Sequence, residues 1–367
     1  MTENNFPFRP HNHRVATEDD VFSKTEVTLA NRNSGILLET LTEDITPTGA
    51  HYLLSHFDVP IIAEPDHLLN FHGEFKAPFS LTMQQIRSLL EVSMPVTMEC
   101  AGNGRAGLSP RSHSMPWHYE AVGTSLWTGT PLLPLIEQAQ PAHDVIDIVF
   151  TGADFGYDKG EGHYFARSLT LEQLRDLDVL LVHSMNGAPL LPQHGAPLRI
   201  IVPGWYGMAS VKWLGSIEAL TQPFDGFQQV RTYQFRNAVD DPGIPVQSIR
   251  IKSLMVPPGV PDWSTRCRRV QAGITTLTGR AWSGDGLAIK NVEVEIDGTW
   301  HPATLAERRG KYAWTQWYCE WNAQPGEYHL RCRATDETGA MQPLDPPWDV
   351  AGFANNAAQT VHVFVED

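Results

Sequence analysis

Apolar positions along this chain follow two regimes that change near residue 239. In the first, short apolar runs alternate with loops rich in Gly and Pro. Residues 94–98, 145–150, 179–182 and 198–202 read as short strands, with 145–150 showing the near-continuous apolar run of a buried one. Apolar side chains at 81, 86, 89, 90 and 92 are near helical spacing and predict a helix over 81–92, with Ser80 as its N-cap. Leu169, Leu171 and Leu174 predict a second, short helix over 168–176. Residues 117–136, which include Gly123-Thr124-Ser125-Leu126-Trp127-Thr128-Gly129-Thr130-Pro131, read as a turn-rich approach to another short helix. Pro and Gly break residues 52–78 into extended pieces and turns. Residues 1–45 are polar and irregular, as expected of an arm lying over the surface or against a partner.

The second regime opens with Asp240-Asp241-Pro242-Gly243 and Val256-Pro257-Pro258-Gly259. Beyond them the apolar period is two. Val292, Val294 and Ile296 form one face before an Asp297-Gly298 turn; Tyr328, Leu330, Cys332 and Ala334 form another; Val361, Val363 and Val365 form a third. Trp314, Trp317 and Trp321 add bulk. Short strands at this spacing predict an antiparallel sandwich of immunoglobulin type. The expected division is therefore residues 1–238 and 239–367, with neither internal repeat nor low-complexity tract.

Length and composition agree with two domains: 367 residues and a hydrophobic fraction of 42% suffice for two cores. No apolar run approaches the ~20 residues of a membrane span. Residues 1–20 carry no recognisable export signal, so a cytoplasmic protein without a membrane partner is expected. The four cysteines, at 100, 267, 319 and 332, form neither a disulfide framework nor a paired CxxC zinc site, and no CxxCH is present for covalent haem. A formal charge of −15 argues against general nucleic-acid binding. Any anionic ligand would then need positive charge concentrated locally.

The chemistry concentrates in two stretches. Thr97-Met98-Glu99-Cys100-Ala101-Gly102-Asn103-Gly104-Arg105 places a cysteine where a strand empties into a glycine-bearing loop. A thiolate there can serve as a nucleophile or as a ligand for a soft or high-valent metal, and a small buried cysteine beside a turn is the plain alternative. The second stretch, residues 185–214, sets His194, Arg199 and Lys212 among glycines after an Asn186-Gly187 turn. That density of cations exceeds what an ordinary loop requires.

Together, Cys100-Ala101-Gly102-Asn103-Gly104-Arg105, Asn186-Gly187, His194-Gly195 with Arg199, Val202-Pro203-Gly204 and Ser210-Val211-Lys212-Trp213-Leu214 resemble the sulfite oxidase family. The resemblance runs from about Tyr52 to the end of the chain and includes Gly279-Arg280-Ala281-Trp282-Ser283-Gly284. It implies an α+β protein: a mixed α/β molybdopterin-binding domain followed by an immunoglobulin-like dimerisation domain, hence a homodimer without haem. It further implies molybdenum and molybdopterin as cofactors, with the Cys100 thiolate bound to the metal. Positions matching the family's pterin contacts are Tyr52, His56, Asp154, His194, Arg199, Ser210, Val211 and Lys212. Arg105 and Tyr233 fall where the family has an active-site arginine and tyrosine. The implied reaction is two-electron oxygen-atom transfer with water as oxygen source and an external electron acceptor, on a small-molecule substrate that is sulfite by default.

Two departures bear on substrate. Leu54 and Ala351 stand where the family carries arginines, and Asp349 beside Ala351 adds a negative charge. Each missing guanidinium removes a charge-assisted hydrogen bond worth ~1.5–3 kcal/mol. Arg167 is a candidate replacement. The competing expectations are a less anionic sulfur or nitrogen substrate, a cofactor-binding protein that has lost turnover, and an enzyme with Cys100 as nucleophile.

Overall fold

The computed structural model describes residues 24–367. Of the expected N-terminal arm, residues 1–23 lie outside that range. The remainder forms a helix, Lys24–Arg32, and a 3-10 turn, Leu38–Thr42, rather than purely irregular chain.

Two sheets carry the first half. One orders Ser80–Thr82, Leu68–Gly73, Leu214–Leu220, Asp147–Asp158 and Glu161–Thr170, with Leu68–Gly73 and Leu214–Leu220 parallel. The other orders Val92–Glu99, Val122–Pro131, Leu180–Met185 and Ala188–Pro189, and Arg199–Ile201 also pairs with Leu180–Met185. Leu69, Phe71, Ile148, Phe150 and Ile217 from the first sheet share one core with Leu181 and Ile200 from the second. Each such side chain removed from water contributes ~1.5–3 kcal/mol. The Asn186-Gly187 turn closes a two-residue hairpin, both residues having positive φ.

Three local expectations are corrected. Residues 80–82 form an edge strand, and the helix is the shorter Met83–Arg87 with Thr82, not Ser80, as N-cap. Thr82 and Gln85 complete a capping box there, which a hydroxyl at position 80 cannot do. Residues 122–131 are a central ten-residue strand rather than a turn-rich approach. Its polar look has local causes: a Cβ on Gly129 would lie 2.0 Å from the Leu181 carbonyl oxygen, and Thr124 and Thr128 pair their hydroxyls with Thr97 and Ser93 across the sheet. Finally, the strand read over 145–150 is instead Asp147–Asp158 and takes in Asp154, buried at a register shift between Thr151 and Phe155.

The second half is a sandwich as expected, but not wholly antiparallel: Arg268–Gln271 pairs parallel with Thr360–Glu366. A four-stranded sheet, Lys252–Met255, Gly273–Trp282, Thr315–Ala323 and Thr304–Leu305, faces a six-stranded one built around Ile289–Ile296, Gly326–Asp336 and Thr360–Glu366. Val292, Val294, Leu330, Cys332, Ala334, Val363 and Val365 fill the space between them with Trp317 and Trp321. The Asp297-Gly298 hairpin turn is present, both residues again with positive φ. The core of the first half continues into the second through Val246, Leu254, Trp282, Trp314 and Phe353.

Candidate active site

Where Val92–Glu99 ends, the chain turns through Cys100 into a 3-10 turn, Arg105–Gly107. Gly104 has φ +97, and a Cβ there would meet the Asn355 carbonyl oxygen at 2.9 Å, so this bend requires glycine. Gly102 is needed for space: its Cβ would press on the Arg105 guanidinium at 2.5 Å. The Cys100 thiol is buried and unpaired with another cysteine. Burial raises its pKa, opposed by the Arg105 charge and the Gly102 amide.

Cys100 lines a cleft. Tyr52, His56, Asp154, His194, Arg199, Ser210, Lys212 and Tyr233 line it as well, so residues scattered over the first half converge. Two residues matched from the family do not line it. Val211 puts its side chain into the hydrophobic core, and Arg105 is held by backbone carbonyls, Nε donating to Ala351 at 2.7 Å and NH1 to Met115 at 2.8 Å, while its charge still acts on Cys100 and Tyr233. His51, absent from the sequence expectations, does line the cleft. It sits edge-on to His194 at 5.8 Å, and its Nε2 is buried without a partner. Its place beside Tyr52 was the available signal.

The electrostatics are one-sided. Arg199 donates to the backbone carbonyls of His194 at 2.9 Å and Ser210 at 3.0 Å, and stacks 4.9 Å from the Trp127 ring. Lys212 Nζ donates to the Leu54 carbonyl at 2.9 Å and the Ser55 hydroxyl at 3.1 Å. Arg167 donates to the Gln228 carbonyl and lies 5.5 Å over the Tyr233 ring. Among the described residues, none of these cations, nor Arg105, has a carboxylate within 4.0 Å. Buried cations elsewhere do: Lys252 pairs with Glu99, Arg268 with Glu39 and Arg280 with Asp44. Buried charge is normally paired, and Arg199 and Lys212, the two of these cations that line the cleft, fit an anionic ligand.

Burial drives the titrations. It lowers Lys212 to about 7 and Arg199 to about 10, and raises Asp154 to about 7. It also lowers His194 and His56 to about 3 and His51 to about 4, which makes all three neutral imidazoles at physiological pH. Asp154 Oδ1 is buried without a partner, an orphan like His51 Nε2. Orphans of this kind in a polar cleft fit a ligand rich in donors and acceptors.

Of the two departures, Leu54 lines the cleft and Ala351 lies against Arg105 through its carbonyl. Asp349 does not act as a free negative charge: its carboxylate accepts from the backbone amides of Ala351, Phe353 and Arg236 and so holds a turn. No group of three or more His, Cys, Asp or Glu able to hold a metal occurs among the described residues. A metal here would therefore take one thiolate from this chain and its other ligands from a cofactor, which fits a pterin dithiolene.

Residues 56–228 match the oxidoreductase molybdopterin binding domain, and residues 245–366 match the Mo-co oxidoreductase dimerisation domain. Human mitochondrial sulfite oxidase is 31% identical over 355 residues, covering 89% of this chain and 63% of that protein. Tomato NADH nitrate reductase is 29% identical over 348 residues, covering 85% of this chain and 37% of that protein. The chain thus spans about three fifths of the sulfite oxidase it matches. The crystal structure of the sulfane dehydrogenase SoxCD from Paracoccus pantotrophus has the same fold, with a TM-score of 0.76 at 22% identity over 98% of this chain and 97% of that one. With both domains matched in order, the molybdenum cofactor is the cofactor of this chain, and the chain belongs to the sulfite oxidase family of molybdopterin oxidoreductases.

Proposed function

We propose that the protein is an oxygen-atom-transfer oxidoreductase that oxidises a small sulfur oxyanion, with sulfite as the first candidate. The observation that carries this reading is the cleft that sets the Cys100 thiol beside Arg199 and Lys212, buried cations bonded to carbonyl and hydroxyl oxygens rather than to carboxylates. In that reading Cys100 is the protein ligand to molybdenum. A bound metal would reverse the effect of burial, since a coordinating thiol is deprotonated outright. Arg199, Lys212, His194 and Ser210 hold the anionic pterin and its phosphate, with the unpartnered Asp154 carboxyl and His51 imidazole as further polar contacts. Tyr233, fixed by His56 and flanked by Arg167, orients the substrate.

The cofactor supplies two-electron oxygen-atom transfer at molybdenum. In the overall reaction sulfite and water give sulfate, two protons and two electrons, and the electrons leave to an external acceptor. Leu54 and Ala351 make the site poorer in guanidinium than the sulfite oxidase pattern, which favours weaker sulfite binding or a less anionic sulfur or nitrogen compound. The dimerisation domain supports a homodimer.

The test is elemental analysis with release of the pterin from protein made in a molybdate-replete, pterin-competent host. Steady-state assays follow, with sulfite, other sulfur compounds and nitrate against artificial acceptors. Molybdenum near one per chain with sulfite turnover is expected. Protein without molybdenum overturns the reading, and molybdenum without turnover on any of these compounds overturns its catalytic part.

A further inference from the structure

The Cys100 loop is tied to the C-terminal half at nearly every second residue. Thr97 donates its amide to the Tyr312 carbonyl at 2.9 Å, and Ala354 donates its own to the Ala101 carbonyl at 2.7 Å. Asn355 Nδ2 donates to the Gly104 carbonyl at 2.8 Å, and Arg105 Nε to the Ala351 carbonyl at 2.7 Å. Between these ties stands Glu99, wholly buried and directly before Cys100. Its Oε1 accepts from Lys252 Nζ at 2.5 Å and from Asn103 Nδ2 at 3.0 Å, while Oε2 accepts from Trp282 Nε1 at 2.9 Å. Asn103 Oδ1 accepts in turn from the Ala121 amide at 3.1 Å, which closes the network onto the neighbouring strand.

A fully buried ion pair is a poor way to add stability, because desolvating two charges offsets most of their attraction. What such a pair does supply is one geometry, since any displacement leaves a buried charge unpaired. Lys252 and Trp282 come from adjacent strands of the C-terminal sheet, paired through Lys252 and Trp282 themselves. They present their donors as one rigid unit to the residue that precedes the thiol.

We propose that the C-terminal domain sets the position of the Cys100 thiol through Glu99, making Lys252 and Trp282 positioning residues for the chemistry at that sulfur. The domain is then part of the active-site scaffold as well as a dimerisation module. The proposal rests on reading Cys100 as the metal ligand where the reaction is concerned, and on the geometry alone where the thiol is concerned.

Two readouts test it in the full chain. In cofactor-free protein, the rate of Cys100 alkylation by iodoacetamide is followed by peptide mass spectrometry. In holoenzyme, the metal's absorption and paramagnetic spectra are recorded alongside kcat and KM. Lys252→Met is expected to speed Cys100 alkylation by about tenfold or more, since an unpaired buried carboxylate opens the loop. In holoenzyme it should shift the metal spectrum and lower kcat by about tenfold or more with little change in KM, as misplacement of a reacting group does. Trp282→Phe keeps an aromatic side chain but removes the indole N–H donor together with some buried volume, so it should shift the same observables in the same direction by less. It also carries the test if Lys252→Met fails to fold. Leu330→Ala, a cavity in the distant C-terminal core, should lower Tm with wild-type alkylation rate and metal spectrum. Wild-type alkylation rates in the Lys252 and Trp282 variants overturn the proposal. So does an effect of Leu330→Ala as large as theirs, which would reduce the network to general stability. Wild-type protein without molybdenum overturns the functional reading of Cys100 instead, while the alkylation rates still decide the positioning.

Discussion

His56 Nε2 lies 2.7 Å from the Tyr233 phenol oxygen and joins residues 177 positions apart at one wall of the cleft. The imidazole also packs against Phe165 at 4.8 Å, and Arg167 covers the phenol ring at 5.5 Å. Burial holds the phenol well above its ordinary pKa and the imidazole down at about 3. Both partners are therefore neutral from pH 5 to 9, and the pair acts as an oriented hydrogen bond.

Tyr233→Phe should lower kcat/KM by about tenfold, the loss of one oriented hydrogen bond worth ~0.5–1.5 kcal/mol. Molybdenum content should be unchanged. Because neither group titrates between pH 5 and 9, wild type and variant should show pH profiles of the same shape over that range. A profile whose acidic or basic limb disappears in the variant would refute the neutral-pair assignment.

Cys100→Ser should retain the pterin, whose matched contacts Arg199, Ser210 and Lys212 lie on other segments. It should abolish measurable turnover and alter the metal's electronic spectrum, because an alkoxide or hydroxyl is a harder donor than a thiolate. Pterin release and absorption spectroscopy check both halves. An unaltered spectrum would mean that Cys100 is not the ligand.

Anion binding to the cofactor-free cleft should weaken as pH rises through about 7, the value to which burial lowers Lys212. Below it Lys212 is already an ammonium. Above it, an incoming anion must draw in a proton, at about 1.4 kcal/mol per pH unit. Sulfate, which does not itself titrate here, should raise Tm clearly at pH 6 and by much less at pH 8.5. Lys212→Met should reduce that pH dependence to the part contributed by Asp154, which burial raises to about 7 in the same cleft. Equal stabilisation at both pH values would show that Lys212 does not face the anion.

Leu54→Arg with Ala351→Arg should lower the KM for sulfite by about tenfold or more, from charge-assisted hydrogen bonds worth ~1.5–3 kcal/mol each. Leu54 has the room because it lines the cleft, and Ala351 lies against Arg105. Steady-state kinetics with an artificial acceptor decide it. A micromolar KM in the natural sequence would instead make Arg167 the substituting cation.

Sedimentation at micromolar concentration should find a homodimer, as its dimerisation domain implies. A monomer with its cofactor intact would reduce the apolar strands of the sandwich to a core and nothing more.

Much of this protein is legible locally. The Cys100 loop, the Asn186-Gly187 and Asp297-Gly298 hairpins and the alternating strands of the sandwich depend on turn chemistry and on a period of two, both written in neighbouring residues. The strand over 122–131 reads as turn-rich because Gly129 answers to the Leu181 backbone, and Thr124 and Thr128 to hydroxyls on the neighbouring strand, rather than to solvent. The edge strand at 80–82 was misread because capping is decided by Thr82 with Gln85, while Leu81 pairs across to Leu69.

The sequence by itself determined the family, its cofactor and the two-part α+β architecture, because ordered motifs and residue periodicity survive without knowledge of contacts. The tertiary structure alone decided which matched residues face the cleft. It turned Val211 into the core, tied Arg105 to the Ala351 carbonyl, brought His51 to the cleft and gave Asp349 to backbone amides. It also joined Glu99 to Lys252 across 153 positions and to Trp282 across 183. The physical reason is the same in each case. A side chain's direction and partner depend on burial and hydrogen bonding across the whole chain, and a buried charge reveals its role only when the group opposite it is known.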